Sequence, residues 1–214
     1  MIDDRVLRIR SFLDNQQYSD PDGTAAALGI SPATWPLAGL LWDSAVILAE
    51  LMMQIDIAGK RILEVGCGLG LGSLVLSSRG ADVTCTDIHP EVRPNLEVNT
   101  KLNGGKPIPY FDGNWQDENI ETRLFDLVIG SDLLYQPDHP LLLARFMSCH
   151  ASEAAQIIVV DPGRGKLPMF GRELDKYGFT RFNEHIGKDV MQANGFMGQV
   201  RAYEKMSNVL TSES

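Results

Sequence analysis

Cysteine, basic charge and long apolar runs are all scarce in this 214-residue sequence. The three cysteines, Cys67, Cys85 and Cys149, are odd in number and scattered, which excludes a disulfide framework and matches no zinc-binding spacing. The four histidines form no H-x-x-x-H or similar ligand set. We therefore expect reduced thiols, a cytoplasmic location and no bound metal.

The shortage of basic residues gives a net charge of −9 and a pI of about 4.9. A protein that holds DNA or RNA usually presents a basic face. Here the densest bases are Arg5, Arg8 and Arg10, followed by Arg164 with Lys166. Nucleic acid is therefore disfavoured as a substrate.

No run approaches the roughly 18 apolar residues of a membrane span. The first ten residues, MIDDRVLRIR, carry acids where a signal peptide has bases, and no apolar segment follows them. We expect neither a membrane span nor a signal peptide.

The composition, 44% hydrophobic and 22% charged, suits one globular domain with a full core. We predict an N-terminal extension and ordered loop over residues 1–41 that packs on the domain. The domain itself is predicted to span residues 42–205, and a C-terminal tail residues 206–214.

The most informative stretch, RILEVGCGLGLGSLVLSSRGADVTCTD, runs from Arg61 to Asp87. It indicates a strand, a glycine loop, a helix and a second strand that ends on Asp87. That carboxylate lies 21 residues past Gly66, about the spacing at which a doubly wound fold places an acid on ribose hydroxyls. The stretch predicts a ligand that carries a ribose.

The glycine spacing separates a dinucleotide from S-adenosylmethionine. A dinucleotide loop requires G-x-G-x-x-G, but the sixth position counted from Gly66 is Leu71, and counted from Gly68 it is Ser73. The pattern E-x-G-x-G-x-G instead resembles motif I of class I methyltransferases, whose ligand has no pyrophosphate. We expect S-adenosylmethionine as the cofactor, S-adenosylhomocysteine as its product, and no nicotinamide.

Alternating strand and helix patterns follow on both sides of this stretch. Apart from Arg61–Val65 and Val83–Thr86, the predicted strands are Pro107–Phe111, Phe125–Gly130, Gln156–Val160, Phe179–Asn183 and Gln199–Tyr203. Helices are predicted from about Asp43 to Ile55, over Pro90–Asn103, from Pro140 to His150 and over Leu167–Tyr177. This order predicts an α/β fold, a single-domain doubly wound and mostly parallel seven-stranded sheet.

In such sheets a ligand binds outside the carboxyl ends of the strands. The residues that the prediction places there are Glu64, Gly66, Asp87, Asp112, Trp115, Ser131, Asp132 and Asp161. Carboxylates clustered at one edge are costly unless they bind something. This edge is therefore the predicted site.

Three segments together resemble one family: LLWDSAVILAELM, ILEVGCGLGLGS and SDLLYQ. The combination is similar to the seven-strand protein lysine methyltransferases with a D-x-x-Y motif (methyltransferase-16-like), and it covers roughly Pro36 to Asp161. Members of that family act on chaperones, elongation factors and an electron-transfer flavoprotein subunit.

The resemblance implies a role for each matching residue of the cofactor site. It places Trp42 near the methionine end of the cofactor, Glu64, Gly66 and Gly68 on its amino-acid part, and Asp87 on the ribose hydroxyls. Asn114 and Trp115 would contact adenine, although the family often has Asp where Asn114 stands. Cys67, Gly70, Ile88 and Ser131 complete the expected cofactor-binding set.

Asp132 and Tyr135 match the D-x-x-Y pair, which in the family lies where the acceptor enters. We expect Asp132 to orient and dock the acceptor rather than to act as a strong base, because its charge would raise the pKa of an amine. Tyr135 would face the same site if Ser131–Tyr135 formed one helical turn. His89 and His139 are predicted as solvated loop residues.

The resemblance implies methyl transfer from S-adenosylmethionine to a protein side-chain nitrogen, with lysine favoured. Two alternatives stay open: methylation of a small molecule, and a catalytically silent adaptor that binds the cofactor. The sequence does not indicate an oligomeric state.

Overall fold

The computed structural model describes residues 6–117 and 123–205, and a seven-stranded sheet forms its centre. The strands are β1 (Arg61–Val65), β2 (Asp82–Asp87), β3 (Tyr110–Asp112), β4 (Phe125–Ser131), β5 (Ala151–Asp161), β6 (Phe179–Phe182) and β7 (Gln199–Lys205). The helices are α1 (Thr24–Ala27), α2 (Asp43–Gln54), α3 (Leu71–Ser78), α4 (Val92–Leu102), α5 (His139–Cys149), α6 (Leu167–Asp175) and α7 (Lys188–Ala193), with a 3-10 helix over Trp35–Gly39.

The strand order β3-β2-β1-β4-β5-β7-β6 creates a point where the chain reverses direction across the sheet. From β1 the chain first builds outward through β2 and β3, and then returns to add β4 on the other side of β1. All pairings among β1 to β5 are parallel, and β7 is antiparallel to both β5 and β6. The carboxyl ends of β1, β2 and β4 therefore meet at a crevice suited to a ligand.

Both faces of the sheet are buried, which explains why its central strands are almost continuously apolar. Successive side chains point to opposite faces, so Ile62 and Leu63 of β1 belong to two different core clusters. Ile62 packs in the cluster that contains residues of α2, α3 and α7, and Leu63 in the cluster that contains residues of α5 and α6. The sheet is thus the middle of three layers.

This architecture confirms the predicted α/β fold with a mostly parallel seven-stranded sheet. β3 and β5 differ most from their predicted bounds. β3 begins only at Tyr110, because Pro107 and Pro109 have no N–H to donate to a neighbouring strand. β5 begins at Ala151, where it pairs with Phe125 ahead of an irregularity in the β4–β5 register. The prediction also missed α1, α7 and the 3-10 helix.

The described part of the N-terminal extension packs on the domain through two asparagines of α4 and its end. The backbone N–H of Arg10 donates to Asn99 Oδ1 at 2.7 Å, and that of Arg8 to Asn103 Oδ1 at 2.9 Å. Phe12 N–H donates to the carbonyl of Gly39 at 2.7 Å, which joins the extension to the 3-10 helix. The boundary at residue 42 stays a prediction, and the predicted tail, residues 206–214, lies outside the described residues.

One described segment, Trp35–Gln54, is long and apolar enough by length and composition to cross a membrane, contrary to the expectation that no run approaches that length. In the fold the segment is interrupted, because Leu40 and Trp42 adopt extended backbone conformations between the 3-10 helix and α2. Ile47 and Leu48 of α2 are fully buried in the core. Here α2 serves as a core helix.

Candidate active site

A cavity of about 580 Å³ opens at the carboxyl ends of β1, β2 and β4. The 3-10 helix and the start of α2 form one wall, and the loop from β4 into α5 forms another. Of the predicted site residues, those that line it are Trp42, Gly66, Cys67, Gly68, Asp87, Ile88, Asn114, Trp115, Ser131, Asp132 and Tyr135. Most of the predicted set thus shares one space, although the role of each residue stays a prediction.

A second depression, of about 650 Å³, lies at the opposite end of the sheet, where β1 and β2 begin. Its walls include Lys60, Arg61, Arg79 and Asp82, and it contains none of the predicted site residues. Ligands of doubly wound sheets bind at the carboxyl ends of strands. We therefore assign the site to the first cavity.

The glycine loop needs backbone conformations and space that a side chain would remove. Gly66 has φ +59°, and a Cβ atom there would lie 2.4 Å from the side chain of Leu133. Gly68 has φ +51° and faces the carbonyl of Ala38. The loop can therefore lie flat against the cavity, where a ligand can approach its backbone closely.

Asp87 is held with its carboxylate beside this loop. Oδ2 accepts a hydrogen bond from Gly68 N–H at 3.0 Å, and Oδ1 accepts one from His89 N–H at 3.0 Å. Burial raises the pKa of this carboxyl, while these N–H groups act in the opposite direction. Each carboxylate oxygen can accept a further bond. Two such oxygens at the cavity wall match a pair of ribose hydroxyls.

Glu64 and Gly70 do not line the cavity, which differs from the prediction. Glu64 is only 3% exposed, and its Oε2 accepts a hydrogen bond from Ser73 N–H at 2.7 Å in the first turn of α3. Gly70, with φ +70°, precedes α3 and packs on Leu96. Both residues support the loop from behind, because β1 directs the Glu64 carboxylate beneath the helix.

Burial raises the pKa of the Glu64 carboxyl to about 7, against its ordinary value of 4.5. Burial likewise raises the pKa of the Cys67 thiol, which therefore lines the cavity as an uncharged side chain. Asp112 and Asp161, also expected at the predicted edge, lie outside the cavity lining. The Asp112 side chain is exposed beside Arg93, and Asp161 is buried.

The segment that carries Asn114 and Trp115 is anchored from α5. Arg145 donates from Nη2 to the carbonyl of Trp115 at 2.6 Å and to that of Asp117 at 2.9 Å. Asn114 Oδ1 accepts a hydrogen bond from Gln116 N–H at 3.0 Å, which closes a tight turn. The anchored turn holds the Trp115 ring at the cavity.

Trp42 is fixed on the opposite wall. Its Nε1–H donates to the carbonyl of Leu37 at 2.8 Å, and both residues line the cavity. The first turn of α2 therefore begins directly at the site.

Asp132 and Tyr135 both line the cavity, although Ser131–Tyr135 does not form the helical turn that would be one way to bring them together. Asp132 has a left-handed backbone (φ +55°), and the chain from there to Tyr135 is irregular. Tyr135 is 42% exposed, whereas the Asp132 side chain is 9% exposed because it pairs with Arg164. Burial nevertheless raises the pKa of the Tyr135 phenol.

The prediction of two solvated histidines is also wrong. His89 is 4% exposed, its ring stacks edge-on against Trp35 at 4.4 Å, and burial lowers its pKa to about 4. His139 is partly buried between the rings of Trp115 (5.1 Å) and Tyr135 (4.4 Å). The sequence carries no local signal for the burial of His139, because this burial depends on Trp115, which is distant in sequence.

The tautomer of neutral His139 follows from its partner. Its Nδ1 lies 2.6 Å from the carbonyl oxygen of Leu133, which can only accept, so Nδ1 carries the proton. Burial lowers the pKa of this imidazole. His139 is thus an uncharged ring that links the Trp115 segment to Tyr135.

The walls fit S-adenosylmethionine. The cavity size is that of a cofactor site, the Asp87 carboxylate suits a ribose, and the flat loop at Gly66 and Gly68 leaves room for an amino-acid chain. Trp115 offers an aromatic surface. Among the described residues, no group of three or more His, Cys, Asp or Glu side chains could hold a metal.

Residues 33–172 match the family described as lysine methyltransferase. The chain belongs to this family. Its membership confirms the predicted resemblance and S-adenosylmethionine as the cofactor.

Curated relatives carry related names. A histidine protein methyltransferase 1 homolog of Dictyostelium discoideum is 34% identical over 44% of this chain and 33% of its own length. A protein N-lysine methyltransferase of Danio rerio is 33% identical over 50% of this chain and 53% of its own. A calmodulin-lysine N-methyltransferase of Arabidopsis thaliana is 29% identical over 64% and 49%. The chain therefore spans about a third to a half of these relatives.

Solved structures agree on the fold. A TehB-like SAM-dependent methyltransferase of Corynebacterium glutamicum has a TM-score of 0.61 at 16% identity, over 87% of this chain and 100% of that one. A ribosomal protein L11 methylase of Lactobacillus delbrueckii has a TM-score of 0.58 at 20% identity, over 76% and 79%. At these identities the likeness concerns the fold alone.

Proposed function

We propose that this protein is a methyltransferase that transfers a methyl group from S-adenosylmethionine to a lysine side chain of another protein. The observation that carries the proposal is that a single cavity joins the Asp87 carboxylate to Asp132 and Tyr135. A donor bound at Asp87 and an acceptor entering beside Tyr135 would therefore meet in one enclosed space.

The mouth suits a lysine side chain in two respects. Leu41 and Tyr135 are exposed there and offer apolar surface, along which the four-carbon stem of a lysine can pack. The Asp132 carboxylate lies further in and offers oxygen atoms to an amine. The printed names of the relatives from Danio rerio and Arabidopsis thaliana, both lysine methyltransferases, support the same acceptor.

S-adenosylmethionine, when bound, supplies a methyl group on a positively charged sulfur. The residues of this chain hold the reactants in line and exclude water, which is the main protein contribution to such a displacement. The neutral acceptor nitrogen uses its lone pair to form the new N–C bond, and the electrons of the broken S–C bond stay on sulfur. The methylated nitrogen then carries the positive charge, and the one proton released per transfer is the proton that the acceptor lost to become neutral.

Labelled methyl transfer tests the proposal. The purified protein is incubated with methyl-labelled S-adenosylmethionine and the protein fraction of a cell lysate, freed of small molecules. We expect a labelled band on a gel whose acid hydrolysate contains methyllysine. The Asp132→Ala variant is the control, since it should bind S-adenosylhomocysteine normally in calorimetry but give a much weaker band.

The two alternatives predict other outcomes of the same experiment. Label that appears only when the small-molecule fraction is restored would replace the protein acceptor with a metabolite. Binding of S-adenosylhomocysteine with no label in either fraction would indicate a silent adaptor. Methylhistidine or methylarginine in the hydrolysate would contradict lysine but not protein methylation.

The acidic net charge supports a protein acceptor over a nucleic acid, and the reduced thiols support a cytoplasmic location. Treating the lysate with nuclease before the assay should leave the labelled band unchanged.

A further inference from the structure

Arg164 donates two hydrogen bonds to the Asp132 carboxylate. Its Nε donates to Oδ1 at 2.5 Å, and its Nη2 donates to Oδ2 at 3.0 Å. Such forked pairs are the most directional that side chains form. Arg164 therefore already binds both carboxylate oxygens of Asp132, the residue that the D-x-x-Y motif places at the acceptor.

The pair is held by two neighbouring strand ends. Asp132 N–H donates to the carbonyl of Val160 at 2.8 Å, which ties the end of β4 to β5. The N–H groups of Gly163 and Arg164 both donate to Asp161 Oδ1 at 2.8 Å, which folds the loop after β5 toward the cavity. These backbone hydrogen bonds therefore place Arg164 next to Asp132.

The charges around the pair come from several elements. Asp132 and Asp161 raise the pKa of the Arg164 guanidinium, so Arg164 stays charged. The Tyr135 phenol faces both members of the pair, and Asp87 acts on that phenol from β2.

Asp138 at the start of α5 and Lys166 at the start of α6 both act on His139, and they shift its pKa in opposite directions. Arg164 is accordingly the cation that directly opposes Asp132 at the mouth.

We propose that Arg164 is a positioning residue that neutralises Asp132, so that the acceptor lysine docks as an uncharged amine. This inference rests on the proposed function. A lone carboxylate would hold the acceptor in its protonated form, because an opposite charge favours the charged state of an amine. Once paired with Arg164, Asp132 can still accept an N–H hydrogen bond through a remaining lone pair without attracting the proton.

One proton is released for each methyl group transferred. The acceptor ammonium releases this proton to solvent as it enters, and its lone pair then forms the N–C bond while the S–C electron pair stays on sulfur. The methylated product leaves as an ammonium ion. No further reactant is required.

The pH profile of methyl transfer tests this role in a way that a purely structural role would not reproduce. Initial rates of methyllysine formation in the lysate protein fraction are measured from pH 6.5 to 10 with saturating S-adenosylmethionine. In the plot of rate against pH, we expect the rising limb of Arg164→Gln to lie about one pH unit higher than that of the wild type. The rate near neutral pH should therefore fall about tenfold. At the alkaline end the rates should converge. Arg172→Gln, which removes an exposed arginine from α6, is the matched control and should follow the wild type.

Two further variants keep the test decisive even if Arg164→Gln is unstable. Asp132→Asn leaves the Arg164 cation unopposed and should move the limb in the opposite direction, to lower pH. The double variant Asp132→Asn/Arg164→Gln removes both charges and should return the limb toward the wild-type position. Melting temperature and S-adenosylhomocysteine affinity are measured for every variant.

A rate of Arg164→Gln that is unchanged, or reduced by the same factor at every pH, would overturn the role of Arg164 while leaving the methyltransferase proposal intact. Limbs that move in the same direction in Asp132→Asn and Arg164→Gln would also overturn it. If the wild-type protein forms no methyllysine at all, the proposed function fails and this inference fails with it.

Discussion

Asp87 and Asp112 are neighbours in the register of β2 and β3, yet they stand in different surroundings. The Asp87 carboxylate is partly buried at the cavity wall and is held by two backbone N–H groups. The Asp112 side chain is 82% exposed and pairs with Arg93 outside the cavity. The two acids therefore allow a carboxylate that lines the cavity to be compared with one on the surface.

Replacing Asp87 by Ala should weaken binding of S-adenosylhomocysteine by about 2 kcal/mol, because two ribose hydroxyls would lose a charged acceptor. Titration calorimetry measures this difference. Asp112→Ala should bind as the wild type does, since its surface ion pair contributes little. Equal affinities for a folded Asp87→Ala protein and the wild type would remove the ribose assignment.

Replacing Asp132 by Ala should lower methyl transfer on the order of tenfold, because the acceptor nitrogen would lose its docking partner. Tyr135→Phe should lower it less, by about threefold, the loss expected for one hydrogen bond. Cofactor affinity should change little in either variant. If transfer by Asp132→Ala fell only in proportion to the fraction of unfolded protein, the residue would be structural.

At the scale of single elements, a buried carboxyl group, that of Glu64, lies at the junction of β1 and α3. Burial beneath the helix raises its pKa to about 7. Between pH 4.5 and 7 the folded protein keeps a proton that the unfolded chain has released. The stabilising contribution is therefore complete below the unfolded pKa and is lost as pH rises through the folded pKa.

Glu64→Gln should abolish this loss. The free energy of unfolding of the wild type, relative to the variant, should fall by roughly 2 to 3 kcal/mol between pH 4.5 and 7.5. Urea denaturation at several pH values measures the difference. The His89 pKa is lowered by burial and acts in the opposite direction, but it is common to both proteins and cancels. A difference that does not vary with pH would contradict the raised pKa.

The elements also show what the sequence could predict. The central strands and the glycine loop have local signals, namely apolar runs and glycine spacing, and their predicted positions agree closely with the structure. The Arg164–Asp132 pair has no such signal, because it depends on β4 and β5 being adjacent and on how a loop folds. His139 was missed for a similar reason, since its burial depends on Trp115, which is distant in sequence.

At the scale of the whole molecule, the cavity is completed by residues that precede the first strand. Leu37, Ala38 and Trp42 form one wall, and the segment that carries them is joined to the extension through Phe12. The N-terminal region therefore forms part of the site and also packs on the domain.

Removing residues 1–41 should abolish binding of S-adenosylhomocysteine, because this wall and the hydrogen bond of Trp42 to Leu37 would be lost. Removing residues 206–214 is the matched control, since none of the described cavity-lining residues follows Arg164. Calorimetry on both truncated proteins, with circular dichroism to verify folding, tests the prediction. Normal affinity in a folded protein that lacks residues 1–41 would contradict it.

If donor and acceptor share one cavity, as proposed, the order of events in a turnover is constrained. A protein seated over Tyr135 would cover the space through which S-adenosylmethionine reaches Asp87. We therefore expect compulsory-order kinetics, in which S-adenosylmethionine binds first and S-adenosylhomocysteine departs last. In steady-state assays, S-adenosylhomocysteine should then inhibit competitively against S-adenosylmethionine and non-competitively against the acceptor protein.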